Sequence, residues 1–184
     1  LTVPEDNGGM GLGAVDAMIV MEELGRGIVL EPLTQTLIVS NVLSQFASAA
    51  VKDNWLPRIA SGDAPGVLAH PARQSRYRPD VCEAKASKAS SGYTITANKS
   101  IVPAGDQADA WLVPAQLDGK IALFLVERSA SGASSKGYIT QDGSRAAEVQ
   151  LQDTPAELVT TDGVAALELG VDTGIAALCA YSVG

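Results

Sequence analysis

The sequence predicts an α+β fold: a helical segment, an antiparallel β-barrel domain, and the first helix of a C-terminal helical bundle that is itself missing. Three observations predict this. Apolar residues recur at helical spacing up to Gly62. From Asp63 to Val159 short β-rich runs succeed one another, with Asp118-Gly119 between two of them. After Asp162 a helical apolar stripe returns. The expected divisions are residues 1–62, 63–159 and 160–184.

The opening run, Pro4 to Gly13, holds too many glycines for a helix or strand and reads as a turn rather than a phosphate cradle, because no strand precedes it and no Gly-Lys-Ser/Thr follows. From Ala14, the apolar residues Val15, Met18, Ile19 and Leu24 define a first helix, which Gly25 and Gly27 are expected to stop. Glu31-Pro32 restarts the pattern, with Val39, Val42, Leu43 and Phe46 on one face of a second helix. Ser48 is the cap for a third, carrying Val51, Trp55, Leu56 and Ile59, which Pro57 is expected to kink or cut into short turns.

Beyond Gly62 the strands expected are 67–69, 81–88, 93–97, 100–102, 111–116, 121–127, 137–141 and 146–151. Ala97-Asn98-Lys99 reads as a reversal between two short strands, and Pro103-Ala104-Gly105 as an irregular loop past a strand end, a common place for a ligand. Asp118-Gly119 and Asp142-Gly143 are hairpin signals. No segment between strands is long enough for a crossover helix, which favours an antiparallel barrel or sandwich over a parallel sheet, and a barrel is expected. Asp162 then caps a helix whose stripe is Val164, Leu167, Val171, Ile175 and Leu178; that stripe is expected to open a further helical domain rather than pack back on the first helices.

Composition limits the function. At 184 residues and 46% hydrophobic content the chain can bury a sizeable core, and a net charge of -8 argues against nucleic-acid partners. Glu22-Glu23, Glu31-Pro32 and Asp172 interrupt the most apolar windows, so no membrane span is expected. Cys82 and Cys179 lack metal or redox spacing and read as reduced thiols of a cytoplasmic protein. His70, the one histidine, reads as a hydrogen-bonding loop residue, and no metal site is visible.

The order of segments resembles the acyl-CoA dehydrogenases from end to end. Pro4-Glu5 to Gly8-Gly9-Met10-Gly11 is similar to that family's first turn, Glu22-Glu23-Leu24-Gly25-Arg26 to its helix signature, and Leu56-Pro57-Arg58-Ile59-Ala60-Ser61-Gly62 to its hinge, the most specific of the matches. Gly92-Tyr93 through Lys99, Gly105, Ala108-Asp109 and Phe124-Leu125-Val126 continue it. The resemblance implies a subunit or fragment that performs α,β-dehydrogenation of an acyl-CoA thioester with FAD, as a homo- or hetero-oligomer, with electron-transfer flavoprotein as a possible acceptor. It places Leu68, Ala69, Ser75, Ile101, Val102 and Pro103 at the flavin, and Ser75, Arg73 and Arg76 at the acyl-CoA. Two hydroxyls that the family turns to the flavin are replaced by Ala69 and Pro103. The family's catalytic Glu is matched in one arrangement by Gly174, so no catalytic residue is named, and Glu168 reads as a surface carboxylate. The Glu31-Pro32, His70-Pro71 and 142–147 turns look most like small partner subunits of heteromeric bacterial dehydrogenases. The alternative is a non-catalytic partner that completes a neighbour's site without binding flavin.

Overall fold

The helical periodicity yields three helices before the sheet: α1 (Ala14–Arg26), α2 (Leu33–Phe46) and α3 (Ala49–Ser61), after a short 3-10 turn at Glu5–Asn7. These come from a computed structural model that describes residues 1–70, 81–90 and 92–184. The strands are β1 (Gly66–Leu68), β2 (Lys85–Ala89), β3 (Gly92–Pro103), β4 (Ala110–Leu117), β5 (Lys120–Glu127), β6 (Ala133–Ile139) and β7 (Arg145–Thr160), and α4 (Gly163–Val183) closes the described chain.

The sheet closes on itself. β2 pairs with β3, β3 with β7, β7 with β5 and β5 with β4, all antiparallel, and β4 returns to β2 through Lys85 and Gln116 in parallel. The expected antiparallel barrel is present, and it also contains two short parallel pairings, of β4 with β1 and with β2. Parity is the reason, because a ring of five strands cannot alternate direction all the way round. β1 and β2 lie along one edge of β4, and β5 and β6 along one edge of β7, so among the described residues the strand pairing is interrupted where each of these neighbours changes.

The expected reversal at Ala97-Asn98-Lys99 does not occur. β3 is one strand of 12 residues paired along β7, and register shifts between Ile95 and Ala97 and between Lys99 and Val102 absorb the irregularity as bulges. Asp118 and Gly119 do form the predicted tight turn, with φ of 50° and 80°, the pair of positive angles that matches strand twist in a two-residue hairpin. Asp142-Gly143 also lies in a hairpin turn, the longer connection that joins antiparallel β6 and β7, where Asp142 Oδ1 accepts from Ser144 N at 3.1 Å and Thr140 Oγ1 at 2.6 Å.

β4 is apolar on both faces because both are covered. Trp111, Val113 and Ala115 fill the barrel with Ile95, Val102, Phe124 and Val149. Ala110 and Leu112 face outward onto Val39, Leu43, Trp55 and Leu56 of α2 and α3. That burial also explains why α3 runs unbroken through Pro57: losing one helical hydrogen bond and clashing with a carbonyl costs about 3 kcal/mol, which four buried apolar side chains on the same helix outweigh.

α1 and α4 meet the rest of the fold through faces other than their large apolar stripes. α1 buries Ala17 and Met21, and α4 buries Gly163, Ala166, Leu167, Gly170, Gly174, Ala177 and Ala180. α4 packs back on α1 and α2 rather than standing clear of them, and it does so through its small residues because these let helix axes approach. A Cβ on Gly25 would lie 1.9 Å from the Tyr181 carbonyl oxygen, so this glycine serves close approach and α1 continues past it to Arg26. Asp162 stands at the α4 N-terminus but makes no side-chain cap bond.

The large apolar residues of the predicted stripes are left outside. Val15, Met18 and Ile19 on α1, and Val164, Val171, Ile175 and Leu178 on α4, are exposed. Against the expectation from the apolar windows, α4 is long and apolar enough by length and composition to cross a membrane, with a mean hydropathy of 1.5, because it carries few charges; 39% of that window is buried within the fold.

Candidate functional site

Two strand ends carry the residues singled out for the cofactor. At the end of β1, Leu68 N donates to the Gln35 side-chain oxygen at 3.3 Å, and Ala69 N donates to Leu112 O at 2.9 Å. Both backbone donors are thus engaged within the fold. Leu68 faces the helices, and Ala69, fully buried, faces the barrel interior together with Val102. The fold therefore brings Ala69 and Val102 into one cluster, while Ile101 and Pro103 lie on the outer surface.

The end of β3 is strained. Ile101 has φ 55° on a bulge and is 61% exposed. A β-branched residue in the left-handed region is a genuine outlier, costing on the order of 1–3 kcal/mol, and such strain gathers at functional sites. The bulge is over-determined by its surroundings. Ile101 N donates to Glu148 Oε1 at 3.4 Å, Val102 O accepts from Gly105 N at 3.1 Å, and the buried Trp111 Nε1 donates to Gly105 O at 2.9 Å. Just beyond, Asp106 is clamped by the Arg145 guanidinium, and Arg128 Nη1 donates to Asp106 O at 2.7 Å.

Beside the bulge a cleft of about 420 Å³ is lined by Glu83, Asn98, Lys99, Ser100, Glu148 and Gln150, among others. Glu148 also accepts from the Tyr138 hydroxyl at 3.3 Å; desolvation, and then the Glu148 charge, raise the Tyr138 phenol above its ordinary value. Lys99 is 2% exposed, the one buried charged side chain among the described residues. Its Nζ donates to His70 O at 3.4 Å and to Pro114 O at 3.5 Å. Burial pushes this ammonium below its ordinary range, opposed by Cys82 and Glu83.

His70 contributes to this network through its backbone oxygen; its Nε2 is buried with no partner among the described residues. Burial first, and the Lys99 charge second, lower its pKa. Ser75, Arg73 and Arg76, with the rest of 71–80, lie outside the described residues. Gly174 is buried with its Cβ position 3.1 Å from Ile38 Cδ1, whereas Glu168 is on the surface as expected. Both cysteines are free thiols, and among the described residues no group of His, Cys, Asp and Glu is placed to hold a metal.

Sequence reasoning passed over Lys99. The signal was available: Lys99 continues the inward register of Ile95 and Ala97 in steps of two, so strand parity alone puts it inside the wall.

The arrangement is that of a helical layer against a closed barrel whose strand ends present apolar surface and backbone carbonyls. Residues 1–63 match the family model described as the acyl-CoA dehydrogenase N-terminal domain. Mitochondrial isovaleryl-CoA dehydrogenase of Arabidopsis thaliana is 30% identical over 156 residues, covering 80% of this chain and 38% of the relative. Acyl-CoA dehydrogenase FadE27 of Mycobacterium tuberculosis is 26% identical over 153 residues, or 77% of this chain and 40% of that one. Among solved structures, the Tcur3481-Tcur3483 steroid ACAD superposes with a TM-score of 0.87 at 27% identity, covering 98% of this chain and 48% of that chain. This chain belongs to the acyl-CoA dehydrogenase family. It spans about 38% of the length of the plant relative.

Proposed function

We propose that this chain is part of a flavoenzyme that removes hydrogens from Cα and Cβ of an acyl-CoA thioester, with FAD lying against the ends of β1 and β3. The observation that carries the reading is Ile101, an apolar side chain held outside the barrel by a strained bulge beside an open cleft. When bound, FAD would supply the acceptor for the hydride from Cβ. The residues fit it through surface rather than hydroxyls: Ile101 and Pro103 give an apolar wall, and Leu68 gives a C=O group. Covering the exposed part of Ile101 is worth about 1–2 kcal/mol.

Proton removal at Cα needs a carboxylate, and Gly174 offers none, so the base comes from elsewhere in the assembled protein. Arg73, Arg76 and Ser75 are proposed contacts for the anionic acyl-CoA. The exposed apolar faces of α1 and α4 are proposed to be covered by further helices or another subunit, in a homo- or hetero-oligomer that passes electrons to an electron-transfer flavoprotein.

A second reading has its own support. Leu68 N and Ala69 N are committed internally, and positions 69 and 103 carry no hydroxyl, which suits a partner subunit that shapes a neighbour's site without holding flavin. Fluorescence titration of FAD into the assembled protein separates the two. The flavin reading expects saturable quenching, weakened about tenfold or more by Ile101→Asp, which replaces the apolar wall with a charge. No binding, or binding indifferent to Ile101→Asp, favours the partner reading.

A further inference from the structure

Among the described residues, the strand pairing along β4 has an opening between the end of β1 and the start of β2. β1 covers Ala110 to Leu112 of β4, and β2 rejoins the same edge only at Gln116. Between them lies Pro114, buried, with no N–H to offer and a carbonyl that no described strand meets on that edge. The donors that reach it are the Lys99 ammonium at 3.5 Å and the Cys82 thiol at 3.2 Å. The same ammonium reaches His70 O at 3.4 Å, one residue beyond Ala69. Among the described residues no carboxylate lies within salt-bridge distance of it, and its described acceptors are carbonyl dipoles from the two sides of the opening. A thiol is too weak a donor to do this alone.

We propose that Lys99 is a positioning residue whose ammonium ties the His70 carbonyl to the Pro114 carbonyl across the opening and so fixes the Leu68–His70 backbone against β4. The inference rests on the flavin reading above for its consequence, since Leu68 and Ala69 are the backbone placed at the cofactor. Only a long donor with several N–H groups can meet both carbonyls, and its stem follows β3 inside the wall beside Ala97. A methionine would fill that path without tying the two sides.

Lys99→Met in the assembled protein is the test, read by amide hydrogen exchange and by flavin. Exchange at Ala69 N, which donates to Leu112 O, is expected to rise about tenfold or more while amides of the β4–β5 hairpin and α2 stay within about twofold. FAD affinity is expected to fall about tenfold, with the fine structure of the visible flavin band blurring toward that of free FAD. A uniform rise in exchange, or none at Ala69, overturns the proposal, as does an unchanged flavin spectrum in a protein whose wild type binds FAD. A wild type that takes up no FAD overturns the flavin reading instead, and Ala69 exchange still decides the role of Lys99. Should Lys99→Met not fold, wild-type exchange decides: Ala69 protected like the hairpin supports the tie, and Ala69 exchanging like an exposed loop overturns it.

Discussion

Trp111→Phe removes the side chain that joins the barrel core to the loop after β3. Trp111 is fully buried and its Nε1 donates to Gly105 O at 2.9 Å, so the variant leaves a buried carbonyl without this partner and a gap where the larger ring was. Leaving a buried acceptor unsatisfied costs about 1–3 kcal/mol. The lost ring volume adds about 1 kcal/mol more. A total of roughly 2–4 kcal/mol follows, and with a urea m-value of about 2 kcal/mol/M the midpoint should fall by about 1–2 M. Far-UV circular dichroism against urea measures it, and Trp55 fluorescence gives a second probe of the same transition. A midpoint within about 0.3 M of wild type at unchanged m would refute the reasoning, because it would mean Gly105 O is not desolvated and Trp111 is not tightly packed.

Other outcomes follow from single contacts. Gly25→Ala places a Cβ against backbone at Tyr181 and should destabilise the α1–α4 contact by about 1–3 kcal/mol, seen as a lower thermal midpoint; an unchanged midpoint would show that the helices are not this close. Asp142 is held at about 2 by bonds from Thr140 and Ser144, so its folded pKa lies below the unfolded value. Its contribution is present above that unfolded value and lost as pH falls through about 2, and Asp142→Asn should flatten the stability profile between about pH 4 and pH 2. His70, lowered by burial and by Lys99, should titrate below 6.5 in a proton NMR series and shift upward in Lys99→Met; a pKa at or above 6.5 in the wild type would contradict its placement.

Local patterns revealed most of the elements, and closure and direction much less. Ser48 accepts from Val51 N as its position before α3 predicts, and Asp118-Gly119 makes its hairpin, because both are set by a few adjacent residues. The continuity of β3 is not legible, because Asn98-Lys99 resembles a turn locally, whereas its pairing with β7, about 50 residues away, decides the matter. The face by which α4 packs back on α1 and α2 is not legible, because large apolar side chains draw attention to a stripe that the described fold leaves exposed. Here Gly170, Gly174 and Ala177 make the contact, and Val171, Ile175 and Leu178 face outward. At the candidate site the residue types at 69 and 101–103 were legible, but the positive φ of Ile101 and the prior commitment of Leu68 N and Ala69 N depend on neighbours far along the chain.

The most direct measurement of the central claim is anaerobic absorption spectroscopy of the assembled protein that carries this chain, before and after addition of an acyl-CoA such as isovaleryl-CoA. The account predicts a visible flavin band in the resting protein, bleached by the acyl-CoA as the corresponding enoyl-CoA appears in equal amount. A protein without the band, or one whose band no acyl-CoA bleaches, would contradict it.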